Sequence, residues 1–156
     1  MTAEEALARA AIRDVLARYA FALDEKQYDL LLDVFTQDAR IDMSGSGGIA
    51  GDRAAFIAWI PEALALFPVT QHFLGQSVID FDDDLAAAWV HTYQINPMGF
   101  GRSDGSVALF ILGGYYRDRC VATPAGWRIA HRTWVQTWMR GEPPAEMVLP
   151  TADYPG

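Results

Sequence analysis

The hydrophobic pattern of this chain changes its period once, near Pro68. Before that point apolar residues recur every three or four positions, which is typical of helices. After it they alternate with polar residues, as they do in strands. Helices followed by strands favour an α+β fold in which helices cover one face of a curved sheet. A length of 156 residues suits one domain, so we predict a single α+β domain over residues 1–140 and a proline-rich tail over 141–156.

Three helices are expected in the first half of the chain. Thr2 and Glu5 form a capping box, in which each side chain pairs with a free backbone amide of the other residue at a helix start. Asp52 can cap the third helix, and Pro61 should kink or split it. The expected elements are a helix to about residue 24, a short helix over 28–35, a brief strand over 39–43, a glycine-rich turn over 44–51 and a helix over 53–67.

Four longer strands are expected in the second half, over residues 70–82, 85–97, 105–122 and 126–140. Short links between long strands form hairpins, so we expect an antiparallel meander. The second and third of these strands carry apolar residues on both faces. One face meets the helices or a pocket, and the other needs cover, because large apolar patches are rarely exposed on a monomer. We therefore expect a homo-oligomer.

Composition argues against several classes of function. The net charge of −8 disfavours binding to nucleic acid or to an anionic membrane surface. Glu4 and Glu5 stand where a secretory signal would be basic, and the longest later apolar run, 107–112, is far shorter than the ~20 residues that span a bilayer. The single cysteine, Cys120, excludes internal disulfides and fits a reducing compartment. We expect a cytoplasmic protein with no nucleic-acid or membrane partner.

Polar residues within apolar segments are the candidates for a functional site. Asp24 closes the first helix, where a carboxylate faces the unfavourable negative end of the helix dipole. Tyr19 lies on the flank of the apolar stripe of that helix. His72 begins the first long strand, and by alternation it shares one side of that strand with Leu74, Gln76 and Val78. On position alone, a surface aspartate is as good an interpretation of Asp24 as a functional one, whereas Tyr19 and His72 are better interpreted as a core tyrosine and a structural histidine.

Motifs of other chemistries are absent from the sequence. It contains no glycine-rich dinucleotide or phosphate loop, no HExxH zinc motif and no Gly-x-Ser-x-Gly nucleophile elbow. His72, His91 and His131 are too isolated to form a metal-ligand set, and we interpret the last two as structural. We therefore expect neither a metal nor a cofactor.

Several segments together resemble the SnoaL-like branch of the NTF2-like superfamily, over about residues 3–140. The segments that carry the resemblance are Tyr19 with Asp24, Tyr28-Asp29, the stretch from Leu32 to Ala39, Thr70-Gln71-His72-Phe73, Gly113-Gly114-Tyr115-Tyr116 and Gly126-Trp127-Arg128. The resemblance implies an α+β cone, in which a strongly bent antiparallel sheet and about three helices enclose a deep apolar pocket.

Within that superfamily the sequence most resembles scytalone dehydratase, hexachlorocyclohexane dehydrochlorinase and bile-acid 7α-dehydratase. These lyases use an Asp–His pair in the pocket, and Asp24 and His72 match the pair. Tyr19 matches a tyrosine one turn before the aspartate, and Tyr116 falls where these enzymes carry a polar pocket residue. The lyases suggest a trimer, whereas dimers are common elsewhere in the superfamily.

Three positions depart from the pattern of the relatives. Pro97 stands roughly where scytalone dehydratase has a second catalytic histidine, and Gly114 stands where it has a serine. Met43 occupies the place of the general-base aspartate of ketosteroid isomerase, and a methionine cannot accept a proton. These departures argue against scytalone as the substrate and against the isomerase mechanism in that form.

The chemistry we expect is a cofactor-independent β-elimination, as in a dehydratase. His72 removes a proton from a carbon next to a carbonyl, since the unperturbed pKa of an imidazole, about 6.5, suits a base at neutral pH. Asp24 accepts a hydrogen bond from the other ring nitrogen, as in a catalytic triad. Tyr19 and Tyr116 can bind a carbonyl oxygen or a leaving hydroxyl.

An apolar, aromatic pocket wall implies a hydrophobic small molecule with a ring, such as a polyketide or a steroid-like compound. The expected wall residues are Phe35, Phe56, Trp59, Leu74, Trp89, Phe110 and Trp134. Two other functions remain open at this stage. One is a polyketide cyclase or isomerase-type enzyme that moves a proton without losing a group, and the other is a non-catalytic small-molecule binding protein.

Overall fold

A computed structural model of the chain describes residues 1–145 and 147. Its helices are α1 (Ala3–Asp24), α2 (Leu31–Val34) and α3 (Arg53–Ala65). Its strands are β1 (Phe35–Asp42), β2 (Ala50–Asp52), β3 (Val69–Thr70), β4 (Phe73–Phe81), β5 (Ala87–Gly101), β6 (Val107–Thr123) and β7 (Gly126–Arg140). The predicted α+β class is confirmed, because the helices lie in the first half of the chain and the long strands in the second.

The helix starts agree with the sequence in part. The Thr2 hydroxyl accepts a hydrogen bond from the Glu5 amide, and the Asp52 carboxylate accepts one from the Ala55 amide. The other half of the capping box is also present, because the Glu5 carboxylate accepts a hydrogen bond from the Thr2 backbone amide, in addition to those from the Arg9 guanidinium one turn later. Helix α3 continues through Pro61 without a break, so the proline does not split it.

The predicted helix over 28–35 is shorter in the structure. A 3₁₀ turn over Tyr28–Leu30 leads into the four residues of α2, and the chain is already extended at Phe35. Strand β1 therefore begins four residues before the predicted brief strand. The glycine-rich turn after it is a 3₁₀ turn over Ser44–Ser46, followed by the short strand β2, which pairs with β1.

The strands form one sheet in the order β2-β1-β7-β6-β5-β3, and β4 pairs with β5 beside β3. Strands β4 to β7 are antiparallel neighbours, as the short links predicted. The expectation of a purely antiparallel sheet is wrong at one pair, because β1 runs parallel to β7. The edge of β7 carries free backbone donors and acceptors, and β1 satisfies them.

A bulge in β4 changes which side chains face inward. The register against β5 shifts between Leu74 and Ser77. Leu74 packs against the core, whereas Gln76 and Val78 are exposed on the opposite face. The expectation that His72, Leu74, Gln76 and Val78 share one side is therefore wrong, since an extra residue in one strand interrupts strict alternation.

Strand β5 divides the molecule into two faces. Its residues alternate strictly, and the inward ones are buried while the outward ones are exposed. The inward set is Val90, Thr92, Gln94, Asn96 and Met98. The outward set, Trp89, His91, Tyr93 and Ile95, lies on what we term the outer face, together with Val78 and Tyr115. The prediction of apolar residues on both faces of this strand is wrong for the inward face, because Thr92, Gln94 and Asn96 are polar.

The end of the chain is described only in part. Pro144 is buried, and the Met147 amide donates a hydrogen bond to the Pro144 carbonyl. The rest of the predicted tail, residue 146 and residues 148–156, lies outside the described residues. Of the helices that the structure describes, none has the length and apolar character needed to cross a bilayer.

Candidate active site

Asp24 and His72 lie in hydrogen-bond contact, although 48 positions separate them in the sequence. Asp24 is the last residue of α1, and His72 lies in the link between β3 and β4. The His72 Nδ1 atom lies 2.6 Å from Asp24 Oδ1, and the His72 backbone amide donates to Asp24 Oδ2 at 2.8 Å. The Thr70 hydroxyl donates to Asp24 Oδ1 at 2.9 Å. The carboxylate is thus held by three groups of the same short segment.

The electrostatics of the Asp24 carboxyl favour its charged form. Burial raises its pKa, but hydrogen bonds from His72 and Thr70 and the attraction of the imidazole lower it by more. The pKa of Asp24 therefore lies below its usual range, and the carboxylate is ionised at neutral pH. An ionised carboxylate accepts hydrogen bonds only, so Nδ1 of His72 must carry a proton.

The second ring nitrogen of His72 then has a free lone pair when the imidazole is neutral. The Nδ2 amide of Asn96 lies 3.2 Å from this Nε2 atom and is the donor in that contact. The His72 side chain is 5% exposed, so bulk water has little access to the ring. This arrangement can accept a proton at Nε2, from a molecule that replaces the Asn96 contact.

A cavity of about 220 Å³ lies between α1, α3 and the inward face of the sheet. The described residues around it include Tyr19, Leu23, Met43, Ser46, Gly47, Gly48, Phe56, Trp59, Ile60, Ala63, Leu64, Leu66, Phe67, His72, Gln94, Asn96, Met98, Leu112, Tyr116, Trp134 and Met147. Three of the four expected catalytic residues line the cavity, namely Tyr19, His72 and Tyr116. Asp24 does not line it and contacts Nδ1 of His72. Of the expected wall residues, Phe56, Trp59 and Trp134 line the cavity.

The other four expected wall residues do not line the cavity. Phe35 and Phe110 are fully buried within the core. Leu74 packs against the core at the bulge in β4. Trp89 lies on the outer face, 43% exposed, with the Arg119 guanidinium over its ring. Its position follows from the alternation of β5, which points every second residue away from the helices.

Tyr19 and Tyr116 meet at a buried ion pair that was not predicted. Their ring centroids are 5.6 Å apart, and the Arg132 guanidinium carbon lies 3.9 and 4.0 Å from the two centroids. Arg132 donates two hydrogen bonds, at 2.8 and 2.7 Å, to the carboxylate of Asp118. Neither charged side chain is exposed to solvent. The sequence contains a signal for this pair. Asp118 lies two positions after Tyr116 on β6, and Arg132 lies two positions before Trp134 on β7, so the alternation of each strand places the charged residue on the same side as its aromatic neighbour.

Both tyrosines remain protonated at neutral pH. Burial raises the pKa of Tyr19, and the positive charge of Arg132 offsets only part of that effect. Burial also raises the pKa of Tyr116 well above its usual range, and the neighbouring Tyr19 adds to the shift. Each tyrosine therefore keeps its hydroxyl proton, and the two hydroxyls are hydrogen-bonded to each other.

The inward polar residues of β5 were also missed. Gln94 and Asn96 are 4% and 5% exposed and line the cavity. His91, the residue of this strand that the sequence singled out, lies on the opposite side. The sequence comparison placed the second catalytic histidine of scytalone dehydratase at Pro97. In the structure, the preceding residue, Asn96, faces the cavity.

Comparisons with known proteins agree with this geometry. The family model described as the SnoaL-like domain matches residues 4–133. The uncharacterized protein Rv2910c of Mycobacterium tuberculosis is 40% identical over 124 residues, which cover 80% of this chain and 82% of that protein.

Solved structures share the fold at lower sequence identity. A candidate scytalone dehydratase from Novosphingobium aromaticivorans has a TM-score of 0.81 and 20% identity, over 97% of each chain. The hexachlorocyclohexane dehydrochlorinase LinA-type3 from Novosphingobium barchaimii has a TM-score of 0.72 and 13% identity, over 94% of this chain and 97% of its own. The predicted resemblance is confirmed, and the chain belongs to the SnoaL-like domain family of NTF2-like proteins.

Proposed function

We propose that the protein is a cofactor-independent lyase of the dehydratase type. His72 Nε2 takes a proton from a carbon next to a carbonyl. The electrons of that C–H bond form a carbon–carbon double bond as the bond to a hydroxyl or halide on the next carbon breaks. A leaving hydroxide takes the proton from the imidazolium and departs as water, whereas a halide departs as an anion and the imidazolium then gives its proton to solvent water.

The contact between Asp24 and His72 is the observation that carries the proposal. It fixes the tautomer with a bare Nε2 and stabilises the imidazolium that forms, as the aspartate of a catalytic triad does. Positioned proton transfer of this kind contributes ~10²–10⁴-fold to a rate. The fold shared with dehydratase and dehydrochlorinase structures supports the same class of reaction.

The tyrosines supply hydrogen-bond donors in this mechanism. The hydroxyl of Tyr19 or Tyr116 binds the carbonyl oxygen, on which negative charge develops as the proton leaves. Such donors contribute more in a cavity that excludes water than they do in solution. The Asp118–Arg132 pair below the two rings holds them in place and adds positive charge beside the hydroxyls.

The size of the cavity restricts the substrate. A cavity of ~150 Å³ accepts benzene, and this one is about 220 Å³. One substituted ring therefore fits within it. The aromatic side chains of Phe56 and Trp59 provide apolar contact with the ring.

The experiment uses a panel of single-ring β-hydroxy ketones and β-halo ketones. Elimination is followed by the absorbance of the conjugated product and by the mass lost as water or hydrogen halide. We expect turnover by the wild type and a loss of ~10²–10⁴-fold in His72→Ala. His91→Ala, on the outer face, is the matched control and should retain the wild-type rate.

Other outcomes identify the alternatives. Exchange of the substrate α-proton in D₂O, with no mass lost, would indicate a cyclase or isomerase and contradict the lyase. Binding without exchange or elimination, unchanged in His72→Ala and Asp24→Asn, would indicate a binding protein.

We also propose that the protein forms a homo-oligomer through the outer face. Tyr93 and Val78 there are 68% and 61% exposed, and they border a groove with His91 and Tyr115. Exposed apolar patches of this kind mark interaction sites. The resemblance to the lyases favours a trimer, and a dimer is the alternative.

A further inference from the structure

Two buried carbonyl oxygens of the cavity wall have no protein partner. Oε1 of Gln94 and Oδ1 of Asn96 accept no hydrogen bond from any group in residues 1–145 or 147. Both residues line the cavity and lie on the inward face of β5. Unpartnered polar atoms on buried side chains are uncommon in folded proteins, so this pair needs an explanation.

The orientation of the Asn96 amide follows from the histidine beside it. Because the Asp24 carboxylate fixes the proton on Nδ1 of His72, Nε2 is an acceptor, and only the Nδ2 group of Asn96 can face it. Rotating the amide would bring two acceptors together. Oδ1 of Asn96 is therefore directed away from His72 and is left for another donor.

These acceptors discriminate among molecules that enter the cavity. A molecule that supplies donors to both oxygens forms two hydrogen bonds, whereas an apolar molecule of the same shape leaves both oxygens unpaired and desolvated. The donors should be neutral, since placing an isolated ammonium among the apolar walls carries a large desolvation penalty. Hydroxyl groups meet this requirement.

We propose that Gln94 and Asn96 form a substrate-selecting acceptor pair, which binds two hydroxyl groups on one edge of a ring. The two residues are two positions apart on a strand, so their backbones are ~7 Å apart, and one ring can reach both side chains. Because Asn96 also contacts His72, a ring held in this way lies beside the base. The inference rests on the proposed function for the role of that base, but its test measures binding alone.

The test compares benzene-1,3-diol with 1,3-difluorobenzene, which is similar in shape but lacks donors. Neither probe is a β-hydroxy ketone, so ligand-observed NMR measures affinity without turnover. The wild-type ratio of the two affinities is compared with the ratios for Gln94→Met and Asn96→Leu. We expect the preference for the diol to fall by about tenfold or more in each variant, as expected for the loss of one buried hydrogen bond.

Gln76→Met is the matched control, because Gln76 is exposed on the outer face. It should keep the wild-type ratio. An unchanged ratio in Gln94→Met and Asn96→Leu, or an equal fall in Gln76→Met, would overturn the proposal. His72→Ala separates the two proposals, because it should lower the rate of elimination by ~10²–10⁴-fold and keep the part of the preference for the diol that Gln94 provides.

A second measurement uses the wild-type protein, so it does not depend on the variants folding. The ¹³C resonances of the Gln94 and Asn96 side-chain carbonyls should move downfield with the diol, as they do when a carbonyl accepts a hydrogen bond. They should not do so with the difluoro compound. Equal shifts with the two probes would contradict the proposal.

Discussion

Asp24 lies where the helix dipole disfavours a carboxylate, at the last residue of α1. Hydrogen bonds from the Thr70 hydroxyl and the His72 backbone amide, together with the contact to the His72 ring, offset that cost. These groups belong to the end of β3 and to the link that follows it, so the carboxylate also fixes this segment against the helix. One residue thereby joins the helical layer to the sheet at the site.

The buried pair of Asp118 and Arg132 leads to a prediction about stability. In Asp118→Asn the guanidinium of Arg132 stays fully buried without a counter-charge. Removing one partner of a buried ion pair costs ~3–5 kcal/mol, and we expect the free energy of unfolding to fall by that amount. Urea denaturation followed by circular dichroism measures the change.

The exposed pair of Arg18 and Asp14 is the control for that measurement. Their side chains are 64% and 59% exposed, and the pair spans one helical turn. Arg18→Ala should cost less than ~1 kcal/mol, because water screens the charges. A loss in Asp118→Asn as small as that in Arg18→Ala would contradict the role given to the buried pair.

At the scale of elements, a second bulge shapes the inward face of the sheet. The register of β6 against β7 shifts between Gly113 and Gly114. A Cβ atom at Gly114 would collide with the backbone carbonyl oxygen of Val135, so this position excludes any side chain.

Alanine substitutions test this bulge. Gly114→Ala should destabilise the protein by ~1–3 kcal/mol, because the obstacle is backbone. Gly113→Ala should cost less, since the obstacle there is the side chain of Trp138, which is 42% exposed, rather than backbone. Thermal unfolding of the two variants measures the difference. A smaller loss in Gly114→Ala than in Gly113→Ala would contradict the account.

The elements that the sequence predicts well are those set by local periodicity. The alternation of apolar and polar residues predicted the bounds of β5, β6 and β7 within a few residues. It does so because the side chains of a strand point in turn towards the core and away from it. The parallel pairing of β1 with β7 and the bulges in β4 and β6 were not predictable in this way. The parallel pairing joins segments that are distant in the chain, and the bulges depend on the register between two neighbouring strands, which the alternation within one strand does not fix.

At the scale of the whole molecule, the same distinction applies to the site. The resemblance identified Asp24, His72, Tyr19 and Tyr116, since it transfers residue types by position. Asn96 was not identified, because its contact with His72 arises only when β5 is paired with the segment that carries the histidine. Trp89 was expected in the cavity wall but lies on the outer face, because the aromatic character of a residue does not indicate which face of a strand that residue occupies.

We propose that copies of the chain assemble through the outer face. A charge introduced there by mutation should therefore prevent assembly. We expect Tyr93→Glu to convert the proposed oligomer into monomers, because each interface would bury uncompensated carboxylates. Sedimentation velocity measures the change. Phe21→Glu is the control, since Phe21 is also 68% exposed but lies on α1. A wild type that sediments as a monomer would contradict the assembly, and so would an oligomer that persists in Tyr93→Glu.

The protonation of the His72 ring tests the central claim most directly, and it requires no substrate. Two-dimensional ¹⁵N NMR of histidine-labelled protein distinguishes the two neutral tautomers, and loss of the signal in His72→Ala assigns it. We predict that neutral His72 carries its proton on Nδ1, facing Asp24, and that Asp24→Asn weakens this preference. A neutral ring protonated on Nε2 in the wild type would leave no lone pair for the substrate and would contradict the account.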